Sequence, residues 1–345
     1  MSFSSVKVAC SAIEHPYRRN GLFLFCNYYR YPGARLLFAC MDQRTAHFIE
    51  VMLLKIGFIG AGKVGKALGL YFSSHGLNVS GYYSRTYESA KDAAVLTSST
   101  AFNSIKSLAD SSNVIFITVP DQALPEIDCE AASAIGELES EPCFIHSSGA
   151  FSSDILAELK MAGFEVGSIH PLMSFGDPYA SAERLNGTWF TLEGTDKAVS
   201  FAGSLLERTG GKFFLIKAED KPLYHAGASV VSNFLVTLLE SGIRLFEATG
   251  MDRDDVLHAI LPLIDATISN IRKKGTIGAL TGPIVRGDYD TVRVHLKAIG
   301  ERMPSELELY RAMALKTAQM LDGNRLTHGQ SEELMRILEV KTNGR

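Results

Sequence analysis

No C-x-x-C pair occurs among the five cysteines of this 345-residue chain (Cys10, Cys26, Cys40, Cys129 and Cys143). The one C-x-x-H, Cys143 with His146, falls in an apolar run that reads as a strand, where residues three apart point to opposite faces. Neither a zinc site nor a disulfide framework is therefore expected, and unpaired thiols suit a cytoplasmic setting. A basic surplus is lacking too. The 34 Lys and Arg stand against 38 Asp and Glu, a net charge of −4, which leaves no broad footprint for nucleic acid or an anionic membrane. With 46% hydrophobic and 21% charged residues, the chain has the make-up of a soluble protein of roughly two domains.

The deficit of basic charge is uneven. Residues 1–51 carry net +3 and the remainder net −7, and the same short segment holds three of the five cysteines and nine of the 32 aromatics. Its arginines precede an apolar patch, as in a signal peptide, but Asn27, Arg30 and "RYPGAR" interrupt the patch too early. Residues 1–51 are read as an extension, disordered or mis-called, with the working protein beginning near Met52.

From Met52 the pattern becomes regular. "LLKIGFI" is an apolar run of strand length, and in "GAGKVGKALGLYF" apolar residues recur at helical spacing. Between them Gly60, Gly62 and Gly65 form G-x-G-x-x-G. The first glycine permits a tight turn, the second lets backbone approach a pyrophosphate, and the third lets helix and strand pack closely. The free N–H groups of the helix start then face the phosphates. The next strand, "LNVSGYY", ends at Ser84 and Arg85, where an NAD site usually carries an acidic residue for the ribose. A hydroxyl and a guanidinium suit a 2′-phosphate, so NADP (NADPH) is the expected cofactor; a solvated arginine paired with Glu88 is the alternative. The cofactor-facing set is Gly60, Ala61, Gly62, Lys63, Val64, Gly65, Ser84, Arg85, Val119, Pro120 and Ser147.

Further strands are read at "NVIFITV", "PCFIHS", "FEVGSIH", "TWFTLEG" and "KFFLIKA". In an open parallel sheet the carboxyl ends of the strands line the ligand crevice. Pro120, Ser147 and His170 each follow or close such a strand, so they are expected to gather beside the glycine loop. His170, in "HPLM", either caps a strand or faces a substrate. Its chemistry suits the second role, because moving hydride to or from a carbon bearing oxygen requires a proton to move on that oxygen, and an imidazole can give or take it.

After about residue 218 the pattern turns helical. "DKPLYHAGASVVSNFLVTLLESGIRLFEATG" reads as one helix of about 27 residues closed by Gly250. It is apolar on several faces, but His225, Ser229, Ser232, Asn233 and Glu240 argue against a membrane span. His225, Ser229 and Asn233 share one face at i, i+4 and i+8; they contact substrate or are satisfied within a helix interface. Asp252 caps a helix through about 274 that Pro262 bends or divides and Gly275 ends. A loop follows, in which Arg286 is either an anion contact or a surface residue. Asp290 caps the next helix, and Pro304 and Ser305 open another through about Asp322.

"GFIGAGKVG", "HSSGA", "HPLMSF", "YHAGASVVSNFLVTLL", "ALTGPIVRGD" and "TVRVHL" follow one another in the order found in Rossmann-like proteins with a DUF2520 carboxyl-terminal domain, which the chain resembles from Met52 onward. The resemblance implies an α/β Rossmann-type parallel-sheet domain over 52–218 that binds NADP. It also implies an all-α domain over 219–345 similar to those of 6-phosphogluconate dehydrogenase and pyrroline-5-carboxylate reductase relatives. The chain is also distantly similar to prephenate dehydrogenases, which carry a serine after one strand and a histidine in an H-P turn after the next. Ser147 or Ser148 and His170 match that arrangement, which implies that His170 assists chemistry at a hydroxyl and that Ser147 orients substrate or ring. The catalytic set expected is His170, Ser147, His225 and Asn233, in an NADP-dependent oxidoreductase transferring hydride to or from a small anionic metabolite, at an alcohol or carbonyl or at an imine, as a homodimer. A non-catalytic NADP-sensing or scaffold protein is the competing reading.

Overall fold

A computed structural model describes residues 54–135 and 141–339. The extension expected over residues 1–51, and Met52 itself, lie outside them. β1 (Lys55–Ile59) is the buried strand before the glycine loop and α1 (Lys63–Ser74) the amphipathic helix after it. Alternation continues through β2 (Asn78–Tyr83), α2 (Tyr87–Thr97), β3 (Thr100–Ala101), α3 (Ile105–Asp110), β4 (Val114–Ile117), α4 (Leu124–Ala134) and β5 (Cys143–His146). It goes on through α5 (Ala157–Met161), β6 (Val166–Pro171), α6 (Pro178–Leu185), β7 (Trp189–Gly194), α7 (Asp196–Arg208) and β8 (Lys212–Leu215).

The strands form one sheet in the order β3-β2-β1-β4-β5-β6-β7-β8. Ile56, Phe58 and Phe116 fill the core on one face, and Ile59, Ile115, Ile117 and Phe144 that on the other. Burial on both faces is why the central strands read as continuous apolar runs rather than alternating ones. The sheet is not parallel throughout: β6 and β7 run antiparallel. Their connection carries α6 off to pack on α1 instead of crossing over the sheet. The antiparallel register places Ser168 opposite Glu193 and His170 opposite Thr191. Because side chains alternate faces with period two, these four lie on the same face at one end of the sheet.

The helical part comprises α8 (Lys221–Val231), α9 (Asn233–Glu247), α10 (Arg253–Ala279), α11 (Tyr289–Arg302), α12 (Pro304–Leu321) and α13 (His328–Glu339). The single helix expected over 220–250 is divided: Ser232 leaves helical geometry (φ −117°, ψ −71°), where serine and asparagine, both weak helix formers, stand together. Asp252 caps α10 as expected, accepting from the N–H groups of Asp254 and Asp255. Gly275 (φ 69°, ψ 176°) interrupts α10 instead of ending it, and Pro262 sits inside it. The cap of α11 is Asp288, which accepts from Thr291 N at 3.1 Å, and not Asp290, which is paired with Arg293. The last helix, α13, had no counterpart in the sequence reading. With α11 and α12 it closes a second core around Val292, Ala318, Leu321 and Leu334. By contrast α8, α9 and α10 leave Leu223, Val231, Phe234, Val236 and Leu263 exposed. By length and composition alone Ala218–Glu247 is apolar enough to cross a membrane.

Candidate functional site

The glycine loop takes the conformation that its three glycines permit. Gly60 sits at φ +106°, and its N–H donates to the Tyr83 carbonyl at 2.8 Å. A methyl group at Gly65 would stand 2.4 Å from the Gly60 carbonyl oxygen, so only glycine lets α1 lie this close to the turn. At Gly62 a methyl would meet nothing, which leaves the backbone open to a ligand from outside. Gly62 caps α1 without a side-chain hydrogen bond, and no acidic residue lies in the first turn. Those free N–H groups and the helix dipole suit a pyrophosphate. Thr118, which the sequence reading passed over, locks the turn by donating to the Gly60 carbonyl at 2.9 Å.

Ser84 and Arg85 follow β2 and precede α2, whose cap is Thr86. Arg85 is exposed and makes no ion pair with Glu88 or with any other described residue. Val119 is half-buried and Pro120 exposed, both just past β4. The strand ends are stitched together, with Thr118 N donating to the Ile59 carbonyl and Ser147 N to that of Ile117. From β1 to β6 is three strand spacings, roughly 14 Å along this edge.

At the far end of the edge, α8 docks on the Ser168, His170, Thr191 and Glu193 patch. Three of its residues at i, i+3 and i+4 face it. Lys221 is fully buried, and its Nζ donates to the Ser148 carbonyl at 2.6 Å and the Ser168 hydroxyl at 3.0 Å. Ser168 in turn donates to Glu193, whose carboxylate also accepts from the Ser153 N–H at 2.8 Å and hydroxyl at 2.6 Å. A buried ammonium and a buried carboxylate are thus bridged through one serine. Tyr224 Oη lies 2.7 Å from His170 Nδ1, the rings meeting edge to face. The His225 ring centre is 6.0 Å from that of His170. A methyl on Gly149 would stand 2.6 Å from His225 Nδ1 and 2.8 Å from His170 Nε2, so the "HSSG" loop brings bare backbone against both imidazoles.

Burial, the Lys221 ammonium and His225 push the His170 imidazole down to about 4. Lys221 itself is lowered to about 8 by burial, against the pull of Glu193 and Asp121. His146, at the end of the neighbouring strand, has a different task. Its Nδ1 accepts from Ser148 N and its Nε2 donates to the Ser152 carbonyl, and burial and Lys221 push it down to about 3. It is a neutral brace for the loop.

Of the catalytic residues expected, the structure brings together His170 and His225. Ser147 does not orient the His170 ring: its hydroxyl turns to the Ile117 carbonyl at 3.5 Å, and the group on the ring is Tyr224. Asn233 is exposed and stands beyond the break at Ser232, so the helical face it was expected to share with His225 is not continuous. Arg286 lies in the short turn before α11, 4.0 Å from Asp288. Lys221, Tyr224, Thr191 and Glu193 were not singled out in the sequence, whereas Gly149 belongs to the "HSSGA" motif. A lysine followed by a tyrosine three residues on and a histidine four residues on, at the start of an apolar helix, was the available signal.

A Rossmann-like domain model matches residues 41–171, and the domain of unknown function DUF2520 matches residues 188–317. Among solved structures, a protein from Thermotoga maritima is 26% identical with a TM-score of 0.63, covering 79% of this chain and 100% of its own. A Bacteroides fragilis protein named as a candidate NADP oxidoreductase is 20% identical with a TM-score of 0.60, covering 77% and 98%. Pyrroline carboxylate reductase from Plasmodium falciparum, with NADP bound, is 14% identical with a TM-score of 0.51, covering 84% and 100%. At these identities the last two share the fold. No curated protein matches the chain.

Proposed function

From the Rossmann-like domain and the DUF2520 domain that this chain joins, we propose that it is an NADP-dependent oxidoreductase for a small metabolite held between the glycine loop and His170. The observation that carries the reading is the loop: Gly60 in a left-handed turn, Gly62 open to a ligand, Gly65 packed on the turn, and an uncapped helix start behind them. Residues 60–65 hold the pyrophosphate, Arg85 and Ser84 the 2′-phosphate, and Val119, Pro120 and Ser147 border the path along the strand ends. The bound cofactor supplies or accepts a hydride. His170 Nε2 hydrogen-bonds the substrate atom whose charge changes, and Tyr224 holds the ring in place. The solved relatives named as NADP oxidoreductase and NADP-bound pyrroline carboxylate reductase lend support by fold.

NADPH absorbance followed against a panel of small carbonyl and imine metabolites tests this. Turnover is expected with at least one compound, and His170→Asn should lower it by roughly 10²-fold or more while leaving dinucleotide affinity nearly unchanged. Tight dinucleotide binding with no turnover on any compound would favour the sensor reading. His170→Asn with wild-type turnover would return His170 to a strand cap.

A further inference from the structure

From Ser147 to Phe151 the loop after β5 finds an acceptor for every backbone N–H but one. Ser147 N–H donates to the Ile117 carbonyl at 3.1 Å and Ser148 N–H to His146 Nδ1 at 3.2 Å, and the Ser148 hydroxyl oxygen accepts from Ala150 and Phe151 N–H at 3.2 Å each. Gly149 N–H has no acceptor among the described residues, although Gly149 is buried. Roughly nine in ten or more buried backbone N–H groups are paired, so an orphan in a loop this well tied calls for a partner from outside the chain. Looseness does not account for it, because Lys221 holds the Ser148 carbonyl at 2.6 Å and Glu193 the Ser153 N–H at 2.8 Å. Two side-chain groups beside Gly149 are without partners as well. His225 Nδ1 is buried with no hydrogen bond, and His170 Nε2 makes none with any described residue; a methyl on Gly149 would stand 2.6 and 2.8 Å from them. Three unpartnered polar groups thus meet at the end of β5, on the edge that carries the glycine loop. The same accounting picks out Ala61, buried and with an N–H that no described residue accepts, in the turn assigned to the pyrophosphate.

Resting on the oxidoreductase reading, we infer that Gly149 N–H is a substrate-binding donor, and that the site takes a substrate presenting a carbonyl or carboxylate oxygen beside His170 Nε2. An N–H is satisfied only by an acceptor, and an oxygen that carries or gathers negative charge satisfies it best. A backbone donor pinned on both sides is already in place when that charge develops, so it costs no reorganisation during the reaction. Glycine is required here because a side chain would drive the His170 and His225 rings apart.

The test replaces the amide of residue 149 by an ester in the full-length protein, with a glycolic acid unit in place of Gly149, which deletes the N–H and adds no side chain. With NADPH and the carbonyl compound that the wild type turns over fastest, kcat/KM should fall about 10- to 100-fold, the scale of a hydrogen bond to a charged oxygen, while NADP affinity stays within about twofold. A fall in kcat marks the oxygen as the reacting one, and a rise in KM alone marks it as a carboxylate away from the reacting carbon. Unchanged kcat/KM would overturn the inference, as would an equal loss of NADP affinity, which would give the N–H to the cofactor. A second measurement needs no ester variant. In nitrogen-15 spectra of glycine-labelled wild type, the Gly149 amide proton, identified by its loss in Gly149→Ala, should move downfield when the compound joins NADP and not with NADP alone. No movement, or the whole movement with NADP alone, would overturn the inference. A wild type that turns over no compound refutes the oxidoreductase reading and this inference with it, whereas turnover with an unmoved Gly149 amide refutes this inference alone.

Discussion

His146 and His170 end neighbouring strands, yet their surroundings give them separate work. Both are pushed below the ordinary histidine value of 6.5, His146 to about 3 and His170 to about 4, chiefly by burial. Between those values and 6.5 the unfolded chain binds more protons than the folded one, so stability is lost as pH falls through that window. Thermal melts taken from about pH 7 to about pH 4.5 should show a steady drop, and His170→Asn should flatten part of it. Parallel curves for wild type and variant would show that the His170 ring titrates alike in both states. The opening of the "HPLM" motif was legible as a strand end bearing a histidine. The ring's partner was not, because Tyr224 follows it by 54 residues and belongs to a helix whose docking face depends on where that helix breaks.

At the scale of elements, α8 is the clamp that makes the site. Its Lys221 reaches the Ser148 carbonyl and, through Ser168, the Glu193 carboxylate. Lys221→Met fills the space but leaves Glu193 buried without its bridged cation, and removing one member of a buried charge pair costs about 3 to 5 kcal/mol. Urea unfolding should show the loss in the midpoint at an unchanged slope, and a midpoint shift worth under about 1 kcal/mol would mean that Lys221 is a passive tether. Strand, glycine turn and helix were readable over residues 53–74 because local spacing alone dictates them. The antiparallel turn of β7 was not, since the direction of a strand lies in the path of its connection and not in the composition of "TWFTLEG". For the same reason Glu193 went unnoticed: its partners are Ser153 and Ser168, brought to it by sheet register. Reading 220–250 as a single helix put Asn233 on the site face, and the break at Ser232 removes it.

For the molecule as a whole, the two ends of the strand edge and the bare helices make separate demands. Helices α8, α9 and α10 leave many large apolar side chains exposed, and a large contiguous apolar patch marks an interaction surface. A second copy of this chain is the proposed cover, because half-buried Ser229, exposed Asn233 and the Glu240–Arg253 ion pair would be costly to place in lipid and two-fold pairing joins like surfaces. Light scattering should give twice the 37.6 kDa chain mass, and Phe234→Glu should lower it to one. A monomeric wild type would contradict the dimer. The central claim, that the strand edge holds NADP, is tested most directly by titrating the protein with NADP and with NAD. A charge-assisted hydrogen bond from Arg85 contributes about 1.5 to 3 kcal/mol, so NADP should bind roughly 10- to 100-fold more tightly than NAD. Arg85→Ala should remove most of that preference and leave NAD affinity in place, because the glycine loop still holds the pyrophosphate. Equal affinities at low salt, or no binding of either dinucleotide, would contradict the account.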